Sequence, residues 1–220
     1  MQSNSGGLVE LILELPIFEA EWVLWLLIGL SLVSVLVMIE RVWFYNQHAV
    51  DVLALRAELR KHITRGQFAE AARMLERHDS MESNVVLAGL REYSEGPESV
   101  EEALVGAETM EVQLYQKRLG FLATVGSNAP FIGLFGTVLG VIKAFAELGA
   151  DFGAAGGELM NGISEALVAT GVGLLVAIPA VIAYNTFSAR VKRLSASTQL
   201  LSRTLLVELK AEEPPRAEAA

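Results

Sequence analysis

The sequence contains no cysteine, which excludes disulfides and thiolate metal sites and leaves the redox compartment unmarked. Its three histidines, His48, His62 and His78, stand 14 and 16 residues apart and fit no single helical metal site. It lacks a glycine-rich phosphate loop ending in Lys and Ser or Thr, and it lacks a nucleophile elbow, so neither an enzyme nor a cofactor is expected. The most informative shortage is of charge. Between Glu21 and Glu40 there are 18 uncharged residues, between Arg118 and Lys143 there are 24, and between Glu165 and Arg190 there are again 24. As helices these runs extend for about 27 Å and about 36 Å, against a hydrocarbon core of roughly 30 Å. Each is long enough to span a bilayer, and buried soluble helices seldom run so far without a charge.

Lysine and arginine are absent from the first 40 residues and from the stretch between Glu147 and Glu165, whereas Arg41 to Arg118 carries ten and the tail from Arg190 carries six. By the positive-inside rule the N-terminus is external and the C-terminus cytoplasmic. Glu10, Glu14, Glu19 and Glu21 precede the first run with no basic residue among them, so that run reads as a retained anchor and not as a cleaved signal. A net charge of −9 argues against nucleic-acid binding.

The expected fold class is an all-α membrane protein with three transmembrane helices and a helical cytoplasmic domain. The expected division is an external N-terminal segment over 1–21, a first span over 22–40, a cytoplasmic helical domain over 41–118 and a second span over 119–147. An external loop over 148–164 with Asp151, Gly153, Gly156 and Gly157 follows, then a third span over 165–189, a cytoplasmic helix over 190–211 and a disordered tail over 212–220. Within the cytoplasmic domain Val52, Leu55 and Leu59, then Phe68, Ala72 and Leu75, recur at helical spacing. Gly66 breaks the first helix, Arg77 to Asn84 reads as a polar turn, and Gly96 with Pro97 opens another helix. With no strong breaker between Glu98 and Pro130, one helix is predicted to run from the cytoplasm into the second span. After the third span, Phe187, Val191, Leu194, Leu201 and Leu205 continue an apolar stripe.

The second span carries a stripe of small residues, Gly126, Pro130, Gly133, Thr137, Gly140 and Ala144, and Gly136 to Gly140 fits the small-xxx-small pattern. The third span carries Ala166, Thr170, Gly173, Ala177, Ala180 and Tyr184, with Pro179 as a predicted kink. Such stripes let helix backbones approach, either within one subunit or between subunits. Thr137 lies five residues before the outer end of its run and Thr170 four residues after the start of its own, so both sit roughly 6–8 Å inside the outer boundary. They either line a polar ring together or bond their own helix backbones. Lys143 and Glu165 flank the outer ends of adjacent spans, where an outer ion pair between them, or one from Lys143 to Glu147, would contribute ~1 kcal/mol or less.

The segment Ala129–Phe145 with Ile163–Asn185, reading ISEALVATGVGLLVAIPAVIAYN, closely resembles the MotA/TolQ/ExbB proton channel family. The three-span layout and the long insertion between spans one and two fit its ExbB/TolQ branch. The resemblance implies a homo-oligomer, a pentamer, in the bacterial inner membrane. The pentamer would surround two copies of an ExbD-like or TolR-like subunit with one membrane helix and an ionisable Asp, and a TonB-like or TolA-like protein would be a further partner beside membrane lipids. It implies that Thr137 and Thr170 are channel-lining, that Glu165 is the family's acidic residue at the start of the third span, and that Pro130 and Pro179 fall on family positions. Lys143 departs from the family pattern. None of the three runs contains Asp, Glu, His, Lys or Arg, so a carboxylate for proton relay has to come from a partner. The same core would serve import, envelope maintenance or surface gliding, and a non-conducting oligomeric scaffold is the rival reading.

Overall fold

A computed structural model describes residues 21–150 and 155–212, with side chains for 21–146 and 160–210. The expected N-terminal segment up to residue 20, the loop residues Asp151 and Gly153, the side chain of Glu147 and the tail from residue 213 lie outside the described residues. The rest is helical: α1 (Glu21–Gln47), α2 (Val52–Ile63), α3 (Phe68–Leu75), α4 (Met81–Arg91), a 3-10 turn (Tyr93–Glu95), α5 (Pro97–Gln116), α6 (Leu119–Ala150) and α7 (Ala155–Glu212). Among the described residues there is no strand. Three of these helices, α1, α6 and α7, are long and apolar enough to cross a membrane. The chain therefore has the architecture of an all-α membrane protein.

Two compact units make up the chain. One holds the described residues up to Met38 together with Gly120–Asn185; the other holds Ile39–Leu119 with the residues from Thr186 onward. In the second unit local chemistry sets the helix ends. Asp51 caps α2 by accepting from the amides of Leu53 and Ala54. Gly66 takes a left-handed φ of +70° after α2, and Gly96 adopts φ +99° just before Pro97 opens α5.

An aromatic and polar node ties this unit together. The Tyr45 hydroxyl donates to the Tyr115 carbonyl at 2.7 Å, the Met81 amide donates to the Tyr115 hydroxyl at 3.0 Å, and Arg190 donates to the Tyr45 carbonyl at 2.9 Å. Phe44 and Phe187 pack edgewise or tilted against the same rings. The continuation of α7 buries Phe187, Val191, Leu201 and Leu205. It is pinned to α5 by Ser195 donating to Glu108 at 2.6 Å and to α2 by Arg56 donating to Thr204 at 3.2 Å.

Three sequence expectations change here. The helix predicted to run unbroken from Glu98 into the second span is two helices. Lys117 is extended (φ −50°, ψ 135°) and Arg118 is left-handed at φ +68°. No glycine or proline marks this break, because its cause is tertiary: Tyr115 is held by the node and Arg118 by an ion pair to Glu40 at 2.9 Å. Those contacts offset the cost of left-handed backbone in a residue with a Cβ, about 1 kcal/mol. The polar turn expected over Arg77–Asn84 already contains the start of α4, capped by Ser80 accepting from the Ser83 amide at 3.2 Å. The loop expected over 148–164 is helical at 148–150 and from Ala155 onward. Gly162, inside the range expected to be loop, is a packing residue, since a methyl there would stand 2.9 Å from Ala144 Cβ.

The new helix α4 is buried on nearly every side and carries Glu82 into the core at 1% exposure, with neither carboxylate oxygen hydrogen-bonded. Burial pushes its carboxyl above the usual carboxylate range. Folding thus raises this pKa, and the folded chain keeps a proton that the unfolded chain has already lost. Stability is full below the ordinary glutamate pKa and falls as pH climbs toward the raised folded value. Glu82→Gln is expected to stabilise the protein at pH 8 by about 1–3 kcal/mol and to leave it unchanged at pH 4. Thermal melting of the detergent-purified chain at both pH values reads this out, and equal melting at pH 8 would refute it.

Candidate functional site: the α6–α7 seam

The first unit is built on close backbone contact between α6 and α7, which run antiparallel. Going up α6, a Cβ placed on Gly126 would lie 2.6 Å from Val181, one on Gly133 would lie 2.6 Å from the Ala169 carbonyl, and one on Gly140 would lie 2.6 Å from Ala166. On α7, a Cβ on Gly173 would meet the Ala129 carbonyl at 2.6 Å and Gly133 Cα at 3.1 Å. Real Cβ atoms do not come this close, so only glycine permits the approach. Gly136 turns toward α1 as well, with Val23 at 3.0 Å and Ala169 at 2.9 Å from where its Cβ would be. Val23 and Leu27 of α1 close the core against Val125, Ala129, Leu139, Val176, Ala177 and Ala180. Both readings of the small-residue stripe were open in the sequence; in the structure it packs two helices of the same chain.

Pro130 and Pro179 lie inside α6 and α7. Each removes one helix amide donor, so the carbonyls of Gly126 and Leu175 lose their usual partners four residues on. Pro130 is half-buried beside the seam, and Pro179 is on the exposed face.

Thr137 and Thr170 stand at the edge of this seam, each half-buried. Thr170 Oγ1 reaches Thr137 Oγ1 at 3.5 Å, and Thr137 donates its own proton to the Leu134 carbonyl at 2.6 Å. Thr137 therefore combines both roles foreseen for it: it bonds its own helix and accepts from its neighbour. The arrangement is a short directed chain, Thr170 to Thr137 to a backbone carbonyl, and among the described residues no donor reaches Thr170 Oγ1. Such hydroxyls orient water or stabilise a nearby carboxylic acid, and they carry no charge themselves.

Glu165 and Lys143 are both exposed, and among the described residues no ion pair joins them. Glu165 lies one residue before Ala166, which packs on Gly140, and hence on the same end of the seam as Thr137. Sequence reasoning overlooked Ala169, Val181 and Val23 as seam residues. Ala169 could have been found from its three- and four-residue spacing to Ala166 and Gly173; Val23, on a separate helix with no small-residue pattern, carries no such signal.

Residues 77–199, which contain every α6 and α7 residue of this seam, match the model of the MotA/TolQ/ExbB proton channel family. The chain is 42% identical over 123 residues to a "Tol-Pal system protein TolQ" of Pseudomonas aeruginosa, a match covering 51% of this chain and 53% of that one. It is 40% identical over 119 residues to a "Biopolymer transport protein ExbB" of Xanthomonas campestris, covering 54% and 46%. Over a shorter stretch of 69 residues it is 54% identical to a "Putative biopolymer transport protein ExbB-like 2" of Helicobacter pylori, covering 31% and 46%. The chain thus spans about half the length of the curated relatives it matches, 46% to 53% in these three. Since the family match takes in more than half of the sequence and carries the glycines, prolines and threonines of the seam, the chain belongs to the MotA/TolQ/ExbB proton channel family.

Proposed function

We propose that this chain is the channel-forming subunit of an ExbB/TolQ-like complex that couples the proton motive force to mechanical work. As a family member with three membrane-length apolar helices, it is a bacterial inner-membrane protein of a transport family and not of an enzyme class. The observation that carries the reading is the hydroxyl contact between Thr137 and Thr170 at 3.5 Å, at the edge of a helix pair held together by glycines. The helices that carry it hold no Asp, Glu, His, Lys or Arg over 119–142 and 166–189. Two hydroxyls in such a setting can bond and release a carboxyl that comes and goes, but they cannot relay a proton alone. The carboxyl is supplied by a single-span ExbD-like or TolR-like partner bearing a membrane Asp. Several copies of α6 and α7, a pentamer by similarity, surround two such partner helices. Protonation and release of the Asp step those helices within the ring. Glu165 lies at the outer entry, the N-terminus is periplasmic and the C-terminus cytoplasmic. Transport through a TonB-like protein is the leading use, with Tol-type envelope maintenance next and gliding as a further alternative.

The test is proton flux into vesicles reconstituted with the chain alone and with its genomic single-span neighbour, with the mass of each complex measured in parallel. Flux that appears only in the mixed complex, together with a pentamer holding two partners, supports the proposal. Flux from the chain alone, or a monomer indifferent to the neighbour, sinks it. The scaffold reading draws on the same seam, because glycine packing inside one chain needs no transport to explain it; assembly without flux would favour it.

A further inference from the structure

The face of α6 that turns away from the seam is divided in two. Thr124, Ser127, Phe131, Leu134, Val138 and Ile142 follow one another at spacings of three and four, which places them in one row, and every one is exposed. The part distant from Arg118 is apolar, with Phe131 at 68% and Leu134 at 54% exposure. The part nearer Arg118 is polar, and Asn128 adds a primary amide beside it. Asn128 stands nine residues into α6, about 14 Å from its first residue, well inside the uncharged run.

The hydrogen bonds in this polar part are one-sided. Thr124 donates to the Gly120 carbonyl at 2.9 Å and Ser127 to the Ala123 carbonyl at 2.9 Å. Asn128 Nδ2 donates to the Thr124 carbonyl at 2.8 Å and to Ser127 Oγ at 3.1 Å. A carbonyl acceptor fixes which end of the amide is nitrogen, so Oδ1 must point elsewhere; among the described residues it has no partner. All the donors are spent on the helix itself, and the open valences are acceptors. Lipid offers no donor, and an amide oxygen in hydrocarbon is costly. A neighbouring helix offers few, since its backbone amides are used internally. Water supplies donors freely.

We infer that Thr124, Ser127 and Asn128 line a water-filled recess that enters from the Arg118 end of α6 and stops at Phe131. Its use as the route by which protons leave the Thr137–Thr170 site rests on the function proposed above; the presence of water does not.

The natural absence of cysteine makes the test direct. Single variants Ser127→Cys and Asn128→Cys, with Leu134→Cys and Val138→Cys from the apolar part of the face, are made in the full complex in membranes and exposed to a charged, membrane-impermeant methanethiosulfonate. Thiols ionise and react only where water reaches them, so the first two should react at least about tenfold faster than the last two. Gly120→Cys checks reagent delivery, and Thr124→Cys carries the comparison if either polar-site variant fails to assemble. Slow reaction at all three polar positions while Gly120→Cys labels readily would overturn the recess. Fast labelling in a complex that passes no protons would leave the recess standing and remove the channel.

Discussion

Replacing both Thr137 and Thr170 by valine should lower proton-driven activity by about a hundredfold while leaving the complex assembled. Valine matches threonine in shape, so the glycine contacts beside it, from Gly133 to Gly173 and from Gly140 to Ala166, persist. What disappears is the directed pair of hydroxyls 3.5 Å apart. If those hydroxyls hold a transient carboxyl, losing two hydrogen bonds that matter only in the transition between states, each worth about 1.5 kcal/mol, lowers the rate by about a hundredfold. The single Thr170→Ser variant keeps a donor in place and should retain most activity. Proton flux and complex mass, measured on the same preparations, give the answer. Full flux from the double valine variant would assign the threonines to packing and leave the scaffold reading in place.

The second large effect is expected at Gly133. A methyl there would stand 2.6 Å from the Ala169 carbonyl and 3.0 Å from Thr170 Cα, both backbone atoms with no rotamer to yield. Gly133→Ala therefore separates the two helices and should destabilise the fold by about 1–3 kcal/mol; Gly133→Leu should prevent accumulation of the folded chain. Gly171 is the matched control on α7, since nothing lies within 4 Å of a Cβ built there. Gly171→Ala should be neutral or slightly stabilising in a helix interior. Detergent-resistant folding and thermal melting of the three variants check this ranking, and a Gly133→Ala protein as stable as Gly171→Ala would refute the seam as a stability element.

The membrane helices were legible in the sequence for a simple reason: hydrocarbon imposes a length and forbids charge, and three runs meet both conditions. The glycine stripe was legible too, and with it the closeness of Thr137 and Thr170, since both follow from counting residues along two helices of known pitch. The sequence did not reveal which surface the stripe faced, because packing within a chain and packing between chains place the same demand for small residues. The helical unit outside the spans was less readable. Periodicity pointed to Ala72, whereas Ala71 is the buried alanine, one position away on a short helix. Glu82, within the stretch that reads as a polar turn, lies in the core. The break at Lys117–Arg118 follows from Tyr45, Met81 and Glu40, residues 34 to 78 positions distant from Arg118 or its neighbour Tyr115, and no local pattern encodes contacts of that range.

The glycine seam also fixes how this pair of helices answers a load. Where long side chains interdigitate, two helices slide by small rotamer adjustments at little cost. Here the surfaces in contact at Gly133 and Gly173 are bare backbone, and a slide along the axis carries the next side chains on that face, Pro130 and Thr137, toward the point where only hydrogen fits. The pair is therefore stiff against shear. Force applied to one helix along this contact is carried to the other with little slippage between them.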